Sequence, residues 1–208
     1  MTSKLSLYND ALLHLASERL ANLAEASASR YALDDAYDGT LKYCLEQGFW
    51  NFAMRAVQID SSESVTPTFG YSYAFTKPSD FIRLHSLSAN ENLTPPLLRV
   101  TDEPNYWYAD CDPLFAKYVS NNGAYGGDLS IWPETFADYV AKRLAVKVSK
   151  RVTGKEASEE LGRQEMRARA DARSKDAMNE PPGFPPTGSW VNSRGGGGDR
   201  SRWSGSFR

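Results

Sequence analysis

The sequence predicts an α+β fold, mainly helical: a helical bundle of two N-terminal and two C-terminal helices, an inserted small antiparallel β region, and an extended C-terminal tail. Three observations predict it. Helical periodicity runs through residues 6–48 and 133–178. Short β-favouring runs broken by Pro, Gly, Asn and Asp fill 53–120. Residues 179–208 hold seven Gly, five Ser and four Pro, with no apolar period to build a core. Residues 1–178 therefore read as one folded unit and 179–208 as a separate tail.

The first helix is expected over 6–23, with Ser6 as N-cap and Leu12, Leu15, Leu20 and Leu23 recurring near the 3.6 period. A break at 24–27 precedes a second helix, 27–48. Its buried stripe is Ala32, Ala36, Leu41, Cys44 and Leu45, and Gly48 ends it. Six short strands are expected at 54–59, 71–76, 82–88, 97–100, 106–109 and 115–120. Residues 121–128, with three Gly and two Asn, read as a mobile loop or wide hairpin turn. The third helix starts with Pro133 at its first position and an acidic first turn. Phe136, Val140, Leu144 and Val148 then step along one face to Gly154. The fourth, 156–178, carries few large apolars (Leu161, Met166, Met178) and many charges, so it is expected to be largely exposed or to face a partner. In the tail, residues 180–186 favour a polyproline-like backbone and 195–198 a hinge. Phe184, Trp190, Arg194, Arg200, Arg202, Trp203 and Phe207 are spaced along it as anchors.

Composition excludes several classes. Hydrophobic residues make up 41% and charged residues 24% of the 208 positions, as in a soluble globular protein. A net charge of −2 rules out a globally basic nucleic-acid binder, leaving room for a local patch. Two cysteines, Cys44 and Cys111, are too few for a disulfide framework and read as free thiols in a reducing compartment. The N-terminus reaches Asp10 without an apolar run, so no signal peptide is expected, and no run approaches membrane-spanning length.

The search for chemistry is short. His14 and His85 sit among leucines as structural residues. Neither cysteine is flanked by a nucleophile motif, and no phosphate-binding glycine loop precedes a helix. Asp34, Asp35 and Asp38 read as a solvated helix face. Asp110 and Asp112 bracket Cys111 without the further ligands a metal needs. No catalysis, metal or cofactor is expected. The basic residues of the last two helices, among them Lys142, Lys147, Lys150, Arg163 and Arg167, interleave with acids at i,i+4 spacing. They read as a salt-bridged solvated face or as a helix lining a channel or a subunit interface.

Four segments carry a resemblance. Leu7-Tyr-Asn-Asp-Ala-Leu-Leu-His-Leu15, Phe49-Trp-Asn-Phe-Ala-Met-Arg-Ala56, Tyr73-Ala-Phe-Thr-Lys-Pro-Ser-Asp-Phe-Ile-Arg-Leu84 and the helix opening at Trp132-Pro-Glu-Thr-Phe together resemble the phage tail tubular protein A family, head–tail connectors of short-tailed phages. The second segment is the most specific. Phe49 stands where the family has Pro, and Lys77 is an extra residue before Pro78. The residues that carry the match are Trp50, Asn51, Phe52, Pro78, Asp80 and Arg83. The resemblance implies a structural head-to-tail adaptor made in the host cytoplasm and located in the virion neck. Its subunits would form a ring, dodecameric in the family, between portal protein and downstream tail or nozzle protein. Genomic DNA would pass through it without sequence specificity, and no membrane is involved. The tail would then dock the portal. The competing reading is a DNA-binding or packaging-accessory protein using the basic C-terminal helices.

Overall fold

The computed structural model describes residues 2–67 and 70–179. Helices take 43% of the chain and strands 18%, so the fold is α+β with the helical part larger. In chain order, α1 is Lys4–His14, α2 is Ala28–Glu46, and a 3-10 turn, Asn51–Ala53, leads into β1, Met54–Ile59. Then come β2 Tyr73–Thr76, β3 Phe81–Ser88, β4 Thr101–Asp102, β5 Tyr106–Ala109, β6 Leu114–Ser120, α3 Glu134–Thr153 and α4 Glu159–Met178.

The helices gather about α3, which packs against α1, α2 and α4. Its buried face includes Phe136, Val140, Leu144 and Val148, the predicted stripe. On α2 the predicted Ala32, Ala36, Leu41, Cys44 and Leu45 are all buried. Asp34 ties α1 to α2, accepting hydrogen bonds from Tyr8 Oη at 2.8 Å and Arg30 Nη1 at 2.7 Å, with Lys4 Nζ at 3.2 Å. Asp35 pairs with Arg151 of α3 at 2.6 Å. Two of the three aspartates expected on a solvated face are thus used to join helices.

Four helix boundaries depart from the sequence expectation, each for a local reason. The N-cap of α1 is Ser3, whose Oγ accepts from Ser6 N at 3.1 Å. The helix ends at His14 because Ala16 turns left-handed (φ 50°), with Ser17 N bonded to Leu12 O and Ala16 N to Leu13 O, both 3.0 Å. That is a Schellman stop built without the usual glycine. Beyond it Leu20 returns to the core, 2% exposed, held by Asn9, whose amide exchanges hydrogen bonds with the Leu20 backbone N and O at 2.8 and 3.2 Å. Pro133 lies one step outside α3 as its N-cap, φ −59° and ψ 143°. The N-cap of α4 is Ser158, bonded to Leu161 N at 3.2 Å. Its buried stripe is Leu161, Glu165, Ala168, Ala172 and Asp176, while Met166 and Met178 are 58% and 71% exposed.

The β region is two three-stranded antiparallel sheets, β1-β6-β3 and β2-β5-β4. In the first, Met54 pairs with Val119 and Ile59 with Leu114. Val119, with Met54 and Ile82, packs on the helical core. The alternate residues Leu114, Ala116 and Tyr118 face a second core with Phe75, Leu87 and Trp107. The order is therefore helices, first sheet, second sheet. The strand expected at 97–100 does not form. Pro95 and Pro96 withhold backbone donors just before it, Leu98 is 96% exposed, and pairing with β5 begins only at Thr101.

Residues 121–128, expected as a mobile loop or wide hairpin turn, form a compact hydrogen-bonded turn, which joins β6 to α3 and not to another strand. Tyr125 N and Gly127 N bond to Asn122 O, and Gly126 N to Ser120 O. Trp132 Nε1 donates to Gly126 O at 3.0 Å. A Cβ on Gly126 would stand 2.4 Å from Ser120 O and 3.0 Å from both Ala53 Cβ and Leu45 Cδ2. Gly126→Ala is expected to destabilise the fold by roughly 1–3 kcal/mol through overpacking, measured by urea unfolding. A loss below a few tenths would show that the turn yields freely.

Candidate functional site

Four of the six residues that carry the resemblance, Trp50, Asn51, Phe52 and Arg83, form a band at the ends of α2 and α4, and Asp80, delivered by the turn at Pro78, extends it along β1 and β6. The last turn of α2 leaves carbonyls that no helical N–H can satisfy. Two side chains from this band satisfy them. Trp50 Nε1 donates to Cys44 O at 3.0 Å, and Arg83 Nη1 donates to Glu46 O at 3.0 Å. Trp50, 1% exposed, lies with ring centroids 4.8 Å from Phe136 and 6.2 Å from Phe52. Phe52 meets Phe136 at 4.8 Å. The Arg83 guanidinium covers Phe49 at 4.2 Å.

Asn51 closes the band on the α4 side. Its backbone N donates to both Asp176 carboxylate oxygens, at 3.1 and 3.0 Å, and its Nδ2 donates to Asp176 O at 2.9 Å. Asp80 closes it on the β side. Its carboxylate, 8% exposed, takes Arg55 Nη1 at 2.7 Å from β1, and Tyr118 Oη at 3.0 Å together with Ser120 Oγ from β6. Burial on its own pushes this carboxyl up. The hydrogen bonds from Ser120, Arg55 and Tyr118 outweigh burial and hold it below its ordinary value. Pro78 O accepts from Phe81 N at 3.1 Å and so forms the turn that delivers Asp80. The extra residue, Lys77, pairs with Asp102 and lies over the Phe81 and Trp107 rings at 5.1 and 5.5 Å. It fastens this turn to the second sheet.

Arg55, Tyr118, Ser120 and Asp176 are the partners that sequence reasoning missed. Of these only Asp176 stands out in the sequence, as one acid among the α4 charges. Beside the band lies a cleft of about 210 Å³ lined by Gly48, Phe49, Trp50, Arg173, Asp176 and Ala177. It sits where α4 ends.

Groups with reactive potential are placed structurally. Both cysteines are free thiols. Burial pushes the Cys44 thiol up to about 12, far from the thiolate a nucleophile needs. His14 lies 3.9 Å from Asp138, and burial followed by the nearby Lys142 lowers its pKa. Asp110 and Asp112 bond the backbone N and Oγ of Ser72 and Ser61. Among the described residues, no group of three His, Cys, Asp or Glu is placed to hold a metal ion.

The basic residues of α3 and α4 are distributed rather than gathered. Lys142 pairs with Asp138, Lys150 with Glu156 at 2.7 Å, and Arg163 with Glu159 at 3.2 Å. Arg143 covers Tyr43 at 4.2 Å. Lys147 runs beside α2 at Gly39, and Arg167 is exposed. Much of this charge is neutralised within the chain. The tail anchors Phe184, Trp190, Arg194, Arg200, Arg202, Trp203 and Phe207 lie outside the described residues. No described helix is long and apolar enough to cross a membrane. Comparison with family models finds no match to this chain, and comparison with curated proteins finds none either.

Proposed function

We propose that the chain is a structural head-to-tail adaptor of a phage virion, assembling as a ring between portal and tail that continues the DNA channel. By the resemblance the ring is a dodecamer made in the host cytoplasm, and its downstream neighbour is a tail or nozzle protein. The observation that carries the reading is the position of the tail's root. Asn51, within the most specific motif, binds Asp176 three residues before the tail begins. The motif that carries the resemblance thus also holds the end of α4, which the tail follows in sequence. Gathered about α3, the helices suit the bundle expected of such a subunit, and the bonds from Arg83 to Glu46 O and from Asn51 to Asp176 hold the first sheet to it. A ring subunit needs that rigidity, since its function would come through shape.

On this reading residues 179–208 dock the portal, with Trp190 and Arg194 as first anchors, then Trp203. Aromatic and arginine side chains dominate the binding energy of most interfaces, and many identical arms engaging together multiply it. A chain truncated after Met178 is expected to keep its far-UV circular dichroism and melting temperature, yet fail to co-sediment with portal rings that bind the full chain. Trp190→Ala with Arg194→Ala is expected to weaken docking by about tenfold or more. Normal docking of the truncated chain would refute the assignment.

The competing reading, DNA binding through the basic helices, is served less well by their charge pairing. Light scattering separates the two. A ring assembling with portal supports the adaptor, whereas a small species binding duplex DNA with a steep salt slope supports the competitor.

A further inference from the structure

The outer face of the second sheet carries three tyrosines in a row. On β5, Tyr106 and Tyr108 alternate with the buried Trp107 and Ala109, so both rings point away from the core. Thr101 of β4 pairs with Tyr108 and donates from Oγ1 to Tyr71 Oη at 2.9 Å, which brings Tyr71 onto the same face. The ring centroids of Tyr71 and Tyr108 are 6.5 Å apart, and those of Tyr108 and Tyr106 are 6.4 Å apart.

One end of this row already holds a cation. The Arg99 guanidinium lies over the Tyr71 ring at 5.6 Å. Its Nη1 stands 3.6 Å from Asp110 Oδ2, and its Nη2 donates to Gly70 O at 3.0 Å. Ring face, carboxylate and carbonyl together make a seat for a planar cation.

The other end repeats the ring face and the carboxylate. Tyr106 and Tyr108 supply the rings, and the exposed Glu103 supplies the acid. Glu103 N bonds Tyr106 O at 2.9 Å. Burial, and then the Glu103 carboxylate, push the Tyr108 hydroxyl up, so the acid stands beside that ring. Among the described residues no cation lies over Tyr106 or Tyr108. Lys77 is engaged instead by Asp102 and by the Phe81 and Trp107 rings on the inner side. With Thr76, Ser79, Pro104 and Asn105, Tyr106 also lines a cleft of about 440 Å³, room for the stem of a long side chain.

Charge and shape together select the partner. Glu103 and Asp110 make this face repel a polyanion such as DNA, while phenol ring faces attract cations. Of the basic side chains, arginine is planar, stacks on rings and is more weakly hydrated than an ammonium. Arg99 on Tyr71 is the same contact made within the chain.

We infer that the Tyr106–Tyr108 face, with Glu103, docks an arginine side chain of a partner protein. The surface belongs wholly to the second sheet, so it stands apart from portal docking by the tail.

Saturation-transfer NMR on the full chain tests it, because the method reads the probe whatever the size of the assembly. The probe is the peptide N-acetyl-Gly-Arg-Gly-amide. Its control carries citrulline, which has nearly the same shape and no charge. The arginine peptide is expected to bind in the millimolar range, and the citrulline peptide about fivefold more weakly. Glu103→Gln, at an exposed position that leaves the fold intact, should weaken the arginine peptide about threefold and leave the citrulline peptide unchanged. Tyr106→Leu should weaken the arginine peptide about fivefold, with circular dichroism as the check on folding. Should that variant not fold, Glu103→Gln decides. Equal binding of the two peptides would give the face to a neutral occupant, a glycan or a proline-rich strand, and overturn the inference. No binding at about 10 mM peptide, or unchanged affinity in Glu103→Gln, would overturn it as well. Neither tail nor portal takes part, so these outcomes bear on this face alone.

Discussion

Trp50→Ala is expected to destabilise the protein by about 4–5 kcal/mol, toward the upper end for a buried aromatic cut to alanine. Its ring is 1% exposed and touches Phe136, Phe52 and Tyr139, with centroids 4.8, 6.2 and 6.5 Å away. Those partners belong to α3 and the junction itself, and a void among them has no free side chain to fill it. The substitution also strips Cys44 O of the Nε1 donor, leaving it only the longer bond from Gln47 N at 3.3 Å. For a chain of this size the melting temperature should fall by roughly 10–15 °C. Trp50→Phe separates the two contributions. It keeps most of the packing and loses the hydrogen bond, so about 1–2 kcal/mol is expected. Differential scanning calorimetry on both variants provides the check. Similar losses for the two would place the whole effect in the hydrogen bond and refute the packing account.

The same residues show what a sequence can and cannot carry. Trp50 and Phe52 were legible as the pin between helices and strands because they cluster at a change of period. With no Gly or Pro there to shape a turn, only packing can hold the junction. The α2 and α3 stripes were legible because large apolar residues recur at helical spacing. The α4 stripe was misread for the converse reason: its buried positions hold Ala168, Ala172, Glu165 and Asp176, small or charged residues that contribute little to a period, while Met166 and Met178 point outward. The buried Asp176 becomes intelligible only through its surroundings, the Asn51 backbone 125 positions away. The end of α1 was missed because Ala16 occupies a left-handed position where glycine is the usual marker. Residues 121–128 were misread because composition reports backbone freedom but not hydrogen bonds. The turn's order comes from contacts that Gly126 makes across the fold. Asp80 was named by resemblance alone. Its three partners come from β1 and β6, strands whose pairing fixes the geometry and whose register no local pattern determined.

Asp80→Ala is the second large effect, expected at about 3–5 kcal/mol, the range for removing one partner of a buried charged cluster. The substitution leaves Arg55, Tyr118 and Ser120 facing a void, and it unties β1 from β3 and β6 at the end nearest the helices. The pH dependence of a milder variant identifies the cause. The folded carboxyl is held below its ordinary value because the hydrogen bonds from Ser120, Arg55 and Tyr118 outweigh its burial, whereas in the unfolded chain it titrates near 3.9. A depressed folded pKa adds stability that is complete above the unfolded value and is lost as pH falls through the folded one. Asp80→Asn retains size and one acceptor but cannot carry the charge. The stability gap between the native chain and Asp80→Asn should therefore be widest at pH 6–7 and close progressively below about pH 4. Urea unfolding at pH 7, 5, 4 and 3 measures that gap. A gap that stays constant from pH 7 to pH 3 would mean that the shape of the side chain, and not its charge, holds the cluster.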